Sequence, residues 1–427
     1  MRSTYYFLLI GGLALFIMTI GCNTDKTSKH STVSGPLLEG RWRAVLNLDE
    51  ELDPSAKLEL PFNFDVLKVG EEYEIFFING AERIKADEVS IEHDSLFVRM
   101  PYFNSEIKAK INERRMLGAW YNYDKGPDYQ LPLYAVWGDS TRFFLPTLDT
   151  AIQVGGTWEV LFMDEDKKSK TDAIGNFVQK GNYVSGTFIT PTGDYRYLDG
   201  IATDHELMLS CFDGAHAYLF VAGATNSGDL QGDAWYGKHG RETWLAFKND
   251  SVQLPMEGML SVATGTSFNF NFPNAEGKML SMADPQFHNK VVLVQIMGTW
   301  CPNCLDETRL LTSLYQKYHN RGLEIVALAF ERSADLAVSG PLITRYAKQL
   351  NVPYPILLAG EADKKKASAA LPDLDALKAY PTTVFIDRSG KIQRVQTGFS
   401  GPATYEYAPY LQELEAFLDN LLAKKNS

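Results

Sequence analysis

The chain has 427 residues, of which 45% are hydrophobic and 22% are charged. This length is too great for one ordinary core and predicts two to three domains, while the composition excludes general disorder. The net charge of −12 argues against nucleic acid as a partner, because nucleic-acid binders carry a basic stripe that neutralises phosphates.

The chain begins with a segment typical of a secretory signal. Arg2 supplies positive charge, residues 5–20 are mostly apolar, and Gly21 precedes Cys22. This resembles the signal of bacterial lipoproteins, although Thr19 stands where that signal usually carries Leu. We therefore predict a signal peptide over 1–21 and a tether over 22–36 that is lipidated at Cys22. The alternatives, cleavage without lipid or an uncleaved anchor, also place the folded part outside the cytoplasm, facing the periplasm.

The next part of the chain is predicted to be all β. Short stretches of alternating hydrophobicity are separated by Asn-Gly, Asp-Gly and Gly-Asp turn signals. Three pairs of segments suggest that one unit occurs twice: Gly40-Arg41-Trp42 with Gly156-Thr157-Trp158, residues 94–98 with 205–209, and residues 117–121 with 232–236. We predict two antiparallel barrels or sandwiches, over 37–150 and 151–255. Cys211 falls in one of their strands and is expected to be buried and inert.

The pattern changes to an α/β type over 256–427. Residues 291–297 form a continuous apolar run, as in a strand that is buried on both faces. Helical spacing follows through Leu310, Leu314 and Tyr318. Strands and helices then alternate, with one helix predicted over 341–350, up to an amphipathic C-terminal helix. This order predicts an α/β domain with a mostly parallel sheet.

The sequence Trp300-Cys301-Pro302-Asn303-Cys304 lies where the apolar strand ends and the helix begins. Free backbone N–H groups at a helix N-terminus stabilise an anion and lower the pKa of a thiol there. Pro302 suits the first helical position, and Cys304 is nearly one turn beyond Cys301. The spacing therefore supports thiol–disulfide exchange, in which Cys301 attacks a disulfide and Cys304 resolves the mixed disulfide.

Other interpretations of the cysteine pair are weaker. A disulfide that closes so short a loop removes little entropy from the unfolded chain, so a purely structural bond would stabilise weakly. A zinc or copper site lacks further ligands, since the chain has no second CxxC and no His after His319. The Pro-x-x-x-Thr/Ser-x-x-Cys pattern of thioredoxin-fold peroxidases is absent, because Gly298 stands at its Thr position.

Residues 264–422 resemble the TlpA-like thiol–disulfide oxidoreductases, bacterial thioredoxin-fold proteins that work outside the cytoplasm. The resemblance is carried by Gly298-Thr299-Trp300-Cys301-Pro302-Asn303-Cys304, Glu307, residues 380–387 and Thr397-Gly398. It implies a cis peptide bond before Pro381, beside the cysteines, and a proton-shuttling role for Glu307. Gln295 stands where thioredoxin has a buried Asp, and Arg309 where the family often has Pro. Two further segments, residues 194–198 and 212–216, are similar to regions that precede such domains in other lipoproteins.

We therefore predict a membrane-anchored, extracytoplasmic enzyme that reduces protein disulfides and receives electrons from a membrane thiol donor. The catalytic residues are predicted to be Cys301, Cys304, Glu307 and Pro381. The substrate-binding residues are predicted to be Trp300, Pro302, Asn303, Tyr380 and Thr382. No metal or cofactor is expected beyond the Cys301–Cys304 disulfide itself. A disulfide-forming oxidase with the same residues is one alternative, and a ligand-binding lipoprotein with an accessory redox domain is another.

Overall fold

The computed structural model describes residues 37–49, 58–86, 88–144, 151–166, 168–254, 265–374 and 376–424. The predicted signal peptide and Cys22 lie outside these residues. The described part of the chain falls within one compact unit, Ser34–Ser427. Among the helices described, none is both long and apolar enough to cross a bilayer.

Nine antiparallel strands form the first sheet. They are β1 (Gly40–Asn47), β2 (Glu59–Val69), β3 (Glu72–Asn79), β4 (Glu82–Ala86), β5 (Glu88–Glu92), β6 (Ser95–Arg99), β7 (Ser105–Asn112), β8 (Arg115–Asn122) and β9 (Gln130–Trp137). The last strand, β9, returns to pair with β1, and the sheet order places β4 and β5 at the two edges. The sheet therefore curls into a barrel that opens between β4 and β5.

The second sheet closes on itself. Its strands are β10 (Gly156–Asp164), β11 (Lys170–Lys180), β12 (Tyr183–Thr190), β13 (Gly193–Asp194), β14 (Leu198–Ala202), β15 (Glu206–Phe212), β16 (Ala217–Ala224), β17 (Leu230–Tyr236) and β18 (Arg241–Lys248). Strand β10 pairs with both β11 and β18, and β11 also pairs with β12, which completes the ring. Apolar side chains from alternate positions fill the barrel, Cys211 among them. The prediction of an all-β N-terminal region is thus confirmed.

The two sheets begin in the same way. Gly40 and Gly156 have φ angles of 108° and 104°, and the indole N–H groups of Trp42 and Trp158 each donate to the carbonyl four residues earlier. The third predicted pair of segments is wrong by one residue. Gly118 and Gly232 are equivalent positions, because a Cβ on either would lie within 1.9 Å of a carbonyl oxygen of the neighbouring strand. Two residues further on, Trp120 therefore matches Ala234 rather than Trp235. Side chains of a strand alternate between its two faces, so a shift of one residue pairs a side chain inside one barrel with a side chain on the outer face of the other. Trp120 is inside the first barrel, whereas Trp235 is only half-buried.

The C-terminal region is the predicted α/β fold. Its strands are β19 (Asn271–Pro273), β20 (Met279–Ser281), β21 (Val291–Met297), β22 (Leu323–Glu331), β23 (Ile356–Glu361), β24 (Thr382–Ile386) and β25 (Ile392–Thr397). Its helices are α1 (Pro302–Tyr318), α2 (Leu336–Gln349), α3 (Lys364–Ala370) and α4 (Tyr407–Ala423). The central sheet has the order β23-β22-β21-β24-β25, with an apolar core on each face.

Two details of this region differ from the prediction. The central sheet is mixed rather than mostly parallel, because β24 runs antiparallel to β21 and forms a hairpin with β25. Helix α2 begins at Leu336, five residues before the predicted start at Pro341. The Asp335 carboxylate caps this helix by accepting from the Ala337 N–H at 2.9 Å, so Pro341 lies inside the helix.

The two barrels and the α/β region are joined by buried polar contacts. The Asn79 side chain pairs with the backbone of Phe212 in the second barrel, at 2.9 and 3.1 Å. The guanidinium of Arg345 in α2 donates to the Met100 carbonyl of the first barrel at 2.6 Å. These contacts fix the barrels against the face of the α/β region that carries the cysteines.

Candidate active site

Cys301 and Cys304 form a disulfide at the start of α1, with Cα atoms 5.2 Å apart. Cys301 is the N-cap residue, and its sulfur accepts the Cys304 backbone N–H at 3.2 Å. Pro302 occupies the first helical turn, where a missing N–H costs nothing. Cys301 is 6% exposed and Cys304 is fully buried, so an incoming group reaches Cys301 first.

The loop before β24 borders the disulfide. The peptide bond between Tyr380 and Pro381 is cis, and the Tyr380 carbonyl oxygen lies 3.8 Å from the Cys301 sulfur. Pro381 is buried, and its carbonyl accepts the Gly398 N–H at 2.8 Å. Thr382 lies close by but is buried, and its hydroxyl donates to the Ala379 carbonyl. The structure thus brings Tyr380 and Pro381 to the disulfide, while the Thr382 side chain is occupied within the loop.

A buried polar network lies beneath Cys304. The Gln295 amide donates to the Cys304 carbonyl at 3.3 Å and to the Glu307 carboxylate at 2.9 Å. The hydroxyl of Thr383 donates to the other oxygen of Glu307 at 2.8 Å. Burial raises the pKa of Glu307 to about 7, and these two hydrogen bonds oppose the shift. Glu307 is therefore poised to exchange a proton near neutral pH.

Four residues that we did not predict surround the other side of the pair. Glu331, at the end of β22, accepts the backbone N–H and the hydroxyl of Thr299, both at 2.8 Å. Burial raises the pKa of Glu331 to about 7 as well. The Trp300 indole donates to the Phe330 carbonyl, and the Arg332 guanidinium lies 4.1 Å from the centroid of the Trp300 ring. Thr299 belongs to the recognised motif, but nothing in the sequence links Phe330, Glu331 or Arg332 to it.

The disulfide lies in a cleft of about 570 Å³ that all three parts of the chain line. The first barrel contributes the loop after β8, the second barrel its tyrosine-rich end, and the α/β region the cysteine motif. The principal lining side chains are Asn122, Asp124, Lys125, Asp194, Tyr195, His216, Tyr218, Tyr236, Glu242, Trp300, Cys301, Pro302, Asn303, Arg332 and Tyr380. The predicted residues Trp300, Pro302, Asn303 and Tyr380 therefore share one cavity with side chains from both barrels.

Arg196 joins the second barrel to the start of α1. Its guanidinium donates to the Pro302 carbonyl at 3.0 Å and pairs with Asp306 of α1 and Glu82 of the first barrel. Asp213 lies 3.5 Å from the same guanidinium. Arg196 also has a left-handed backbone, with φ of 57°. A single buried cation therefore ties both barrels to the helix that carries the cysteines.

The neighbouring residues of this loop also contact the cysteine motif. Gly193 has φ of 153°, and a Cβ placed on it would lie 1.9 Å from the side-chain nitrogen of Asn303. The Asp194 carboxylate accepts the Gly401 N–H at 2.6 Å. Residues 194–198 and 212–216, which we singled out by resemblance without a role, thus form the part of the second barrel that meets the active-site helix.

The position of Glu307 leads to a pH prediction. We propose that Glu307 is the general base for the Cys304 thiol, so Glu307→Gln is expected to slow the resolving attack of Cys304 by about 10²-fold or more. In the unmodified chain this step should accelerate as the pH rises through about 7, where Glu307 loses its proton. Stopped-flow measurement of mixed-disulfide resolution between pH 5 and 9 tests this.

Glu331→Gln is the matched control for the Glu307 substitution, since Glu331 is a second buried carboxylate with the same pKa of about 7. It is hydrogen-bonded to Thr299 rather than connected to Cys304. A rate inflection near pH 7 that remains in Glu307→Gln and disappears in Glu331→Gln would contradict the assignment of the pH dependence to Glu307.

The described residues contain no cluster of three or more His, Cys, Asp or Glu side chains that could hold a metal ion. Cys211 is a free thiol inside the second barrel, and burial raises its pKa well above the ordinary value. Within the described residues, thiol chemistry is thus concentrated at Cys301 and Cys304.

Comparison with known proteins agrees with this geometry. The Redoxin family matches residues 263–409, so the C-terminal part of the chain carries a redoxin domain. Thiol-disulfide oxidoreductase ResA of Bacillus thuringiensis is 31% identical over 124 residues, which cover 29% of this chain and 63% of the relative. ResA of Geobacillus thermodenitrificans is 27% identical over 139 residues, 32% of this chain and 71% of the relative. The predicted resemblance to the thiol–disulfide oxidoreductases is confirmed, although the chain spans less than two thirds of the Bacillus relative.

Among solved structures, this chain is similar to a thioredoxin-family thiol:disulfide interchange protein from Chlorobium tepidum. It is 20% identical, with a TM-score of 0.30, and the match covers 38% of this chain and 99% of that protein. At that TM-score the likeness adds no argument about function.

Proposed function

We propose that this chain is an extracytoplasmic thiol–disulfide oxidoreductase that reduces disulfides of polypeptides through Cys301 and Cys304. The observation that carries the proposal is the position of the pair. The partly accessible Cys301 caps a helix N-terminus, 3.8 Å from the carbonyl that precedes a cis-proline, with a buried carboxylate network beneath Cys304. The relatives are thiol-disulfide oxidoreductases by name, which is the same class of chemistry.

In the first step, the Cys301 thiolate attacks one sulfur of the substrate disulfide. The backbone N–H of Cys304 and the helix dipole stabilise the anion before attack. The substrate S–S bond breaks, its second sulfur leaves as a thiolate that takes up a proton, and a mixed disulfide to Cys301 remains. The Tyr380 carbonyl, beside Cys301, is placed to pair with the backbone of an extended substrate.

In the second step, Cys304 attacks the Cys301 sulfur and releases the other substrate thiol. Glu307 lies three residues after Cys304 on α1, is held in place by Gln295 and Thr383, and accepts the proton of the Cys304 thiol. The substrate gains two electrons and two protons, and the Cys301–Cys304 disulfide reforms. The next cycle requires a dithiol donor, which we propose to be a membrane protein.

The proposed activity is tested by a coupled assay. Insulin is mixed with dithiothreitol, and catalytic amounts of the chain are added. The rate of insulin reduction is expected to rise in proportion to the concentration of the chain. A rate equal to that of dithiothreitol alone would contradict a reductase that acts on polypeptide disulfides.

Lipid attachment at Cys22 is the part of the proposal that rests on the sequence alone. The apolar segment and Gly21-Cys22 support it, and an anchor would hold the enzyme near a membrane electron donor. Cys22→Ser is expected to move the chain from the membrane fraction to the soluble fraction of the host cell. Retention in the membrane fraction would count against the lipid anchor.

A further inference from the structure

The turn that precedes Cys301 sets the position of its sulfur. The Cys301 N–H donates to the Gly298 carbonyl at 3.1 Å, so residues 298–301 form a turn with Thr299 and Trp300 at its centre. The turn leads directly into the N-cap of α1, where the Cys301 sulfur accepts the Cys304 N–H at 3.2 Å. A displacement of the turn would therefore move the sulfur away from the N–H groups that stabilise its thiolate.

The residues of this turn do not specify it by themselves. Small, polar and proline residues dominate the central positions of turns, whereas Thr299 is β-branched and Trp300 is bulky. Gly298 is needed for close packing, because a Cβ on it would lie 2.3 Å from the Trp300 indole nitrogen and 2.9 Å from the Phe330 carbonyl oxygen. The conformation of the turn therefore depends on contacts with another part of the chain.

Both central residues of the turn are hydrogen-bonded to the end of β22. One oxygen of the Glu331 carboxylate accepts the Thr299 N–H and the other accepts the Thr299 hydroxyl, both at 2.8 Å. The Trp300 indole donates to the Phe330 carbonyl at 2.9 Å. We call these three hydrogen bonds the turn clamp. Glu331 is 2% exposed and Thr299 is 6% exposed, so a clamp bond that is lost leaves a buried group without a partner.

The turn clamp is compatible with both protonation states of Glu331. Burial raises the pKa of Glu331 to about 7, against the two hydrogen bonds from Thr299, so both states are populated near neutral pH. The ionised carboxylate accepts the N–H and the hydroxyl. The protonated carboxyl accepts the N–H and donates its own proton to the hydroxyl oxygen, because a hydroxyl group both donates and accepts. The clamp therefore depends on hydrogen-bonding capacity and not on charge.

We propose that Glu331 is a positioning residue for the nucleophile, whose side chain holds the turn at Thr299 so that Cys301 stays at the N-cap of α1. The inference rests on the proposed exchange function and adds to it a residue from outside the cysteine motif. None of the clamp atoms belongs to either cysteine, so the clamp bonds are the same whether the disulfide is formed or reduced. Glu331 takes up no proton from a thiol in this role, which distinguishes it from Glu307.

The test measures the reactivity of the Cys301 thiol, which requires no substrate disulfide. The full chain carrying Cys304→Ser serves as the parent, and mass spectrometry follows the modification of Cys301 by iodoacetamide between pH 4 and 9. Adding Glu331→Leu removes both acceptor oxygens at similar volume. The rate at pH 6 is expected to fall by about tenfold, because less of the thiol is ionised once the sulfur leaves the helix N-terminus. The midpoint of the pH profile, which reports the pKa of the Cys301 thiol, is expected to rise.

Conservative variants supply the controls. Glu331→Gln is expected to keep the rate at pH 6 within about twofold, because the amide oxygen accepts the Thr299 N–H and the amide nitrogen donates to the hydroxyl. Thr299→Val removes only the hydroxyl bond and should lower the rate by about threefold, whereas Thr299→Ser retains that bond and should restore the rate. Thr187→Val should leave the rate unchanged, since Thr187 is a fully buried threonine in β12 of the second barrel.

The outcomes separate this inference from the function on which it rests. A rate in Glu331→Leu equal to that of the parent would overturn the positioning role, and so would equal losses in Glu331→Leu and Glu331→Gln, which would assign the effect to charge. If Glu331→Leu does not fold, the Thr299 variants decide, and equal rates in Thr299→Val and Thr299→Ser would overturn the role. A thiol that responds to these variants in a chain that does not reduce insulin would overturn the reductase and leave the positioning role intact.

Discussion

Replacing Cys301 with serine is expected to lower the rate of disulfide reduction by about 10³-fold or more, the scale seen when a covalent nucleophile is removed. A serine hydroxyl is not ionised at neutral pH and forms no disulfide with a substrate. Apart from the resolving Cys304, the only other cysteine among the described residues is Cys211, a fully buried thiol whose pKa burial raises well above the ordinary value. The insulin assay measures the loss directly.

Two further variants sharpen this prediction. Cys304→Ser should leave the first step intact and remove the second, so the chain accumulates as a covalent complex with its substrate. The complex should be visible on a non-reducing gel and disappear when a reducing agent is added. Cys211→Ala should retain the activity to within about twofold, since an inert thiol in the second barrel takes no part in exchange. Normal turnover by Cys301→Ser would show that the helix-capping cysteine is not the nucleophile.

Arg196→Ala is expected to destabilise the protein strongly, by about 3–5 kcal/mol. The substitution removes the guanidinium that contacts Asp306, Glu82 and Asp213 together. Asp306 keeps Arg309 at 3.0 Å, but Glu82 and Asp213 lose the buried guanidinium beside them. It also breaks the hydrogen bond to the Pro302 carbonyl inside the cysteine motif. Because chains with several domains do not follow two-state unfolding, the apparent melting temperature is the suitable measure, with an expected fall of roughly 10 °C.

The control for this substitution is Arg241→Ala. Arg241 is half exposed and pairs with Asp233 at 3.0 Å on the surface of the second barrel. An exposed pair contributes about 0–1 kcal/mol, so the melting temperature should change by about 3 °C or less. A second measurement follows the active site: dithiothreitol should reduce the Cys301–Cys304 disulfide faster in Arg196→Ala, because the barrel wall is no longer held to α1. Identical melting in the two variants would contradict a central role for Arg196.

The redox centre could be predicted from the sequence because its determinants are local. An apolar strand, a helix with Cys301 at its start and Pro302 in its first turn, and Cys304 one turn later follow each other within about fifteen residues. Glu307 is on the same helix, and Tyr380-Pro381 was recognised from a family motif. These features depend on strand and helix periodicity and on capping, which short segments specify.

The cleft could not be predicted in the same way because it depends on how the three parts pack. Lys125 follows β8, Tyr195 precedes β14, and Arg332 follows β22, so no sequence spacing connects them. Resemblance did single out residues 194–198 and 212–216, but only the structure shows that Arg196 reaches α1 and that Asp213 lies beside its guanidinium. The sequence predicts a mostly parallel sheet for a related reason. The direction of β24 depends on its pairing with β21, which is distant in the sequence. The one-residue error at Trp235 shows how easily strand register is lost when only aromatic residues are aligned.

The reduction potential of the Cys301–Cys304 couple tests the central claim most directly. The purified chain is equilibrated with glutathione buffers of defined ratio, and the fraction of free Cys301 thiol is measured by alkylation. The proposed reductase predicts a value near that of thioredoxin, about −270 mV. A value near −120 mV, typical of a strong disulfide-forming oxidant, would contradict it and assign the same residues to disulfide formation.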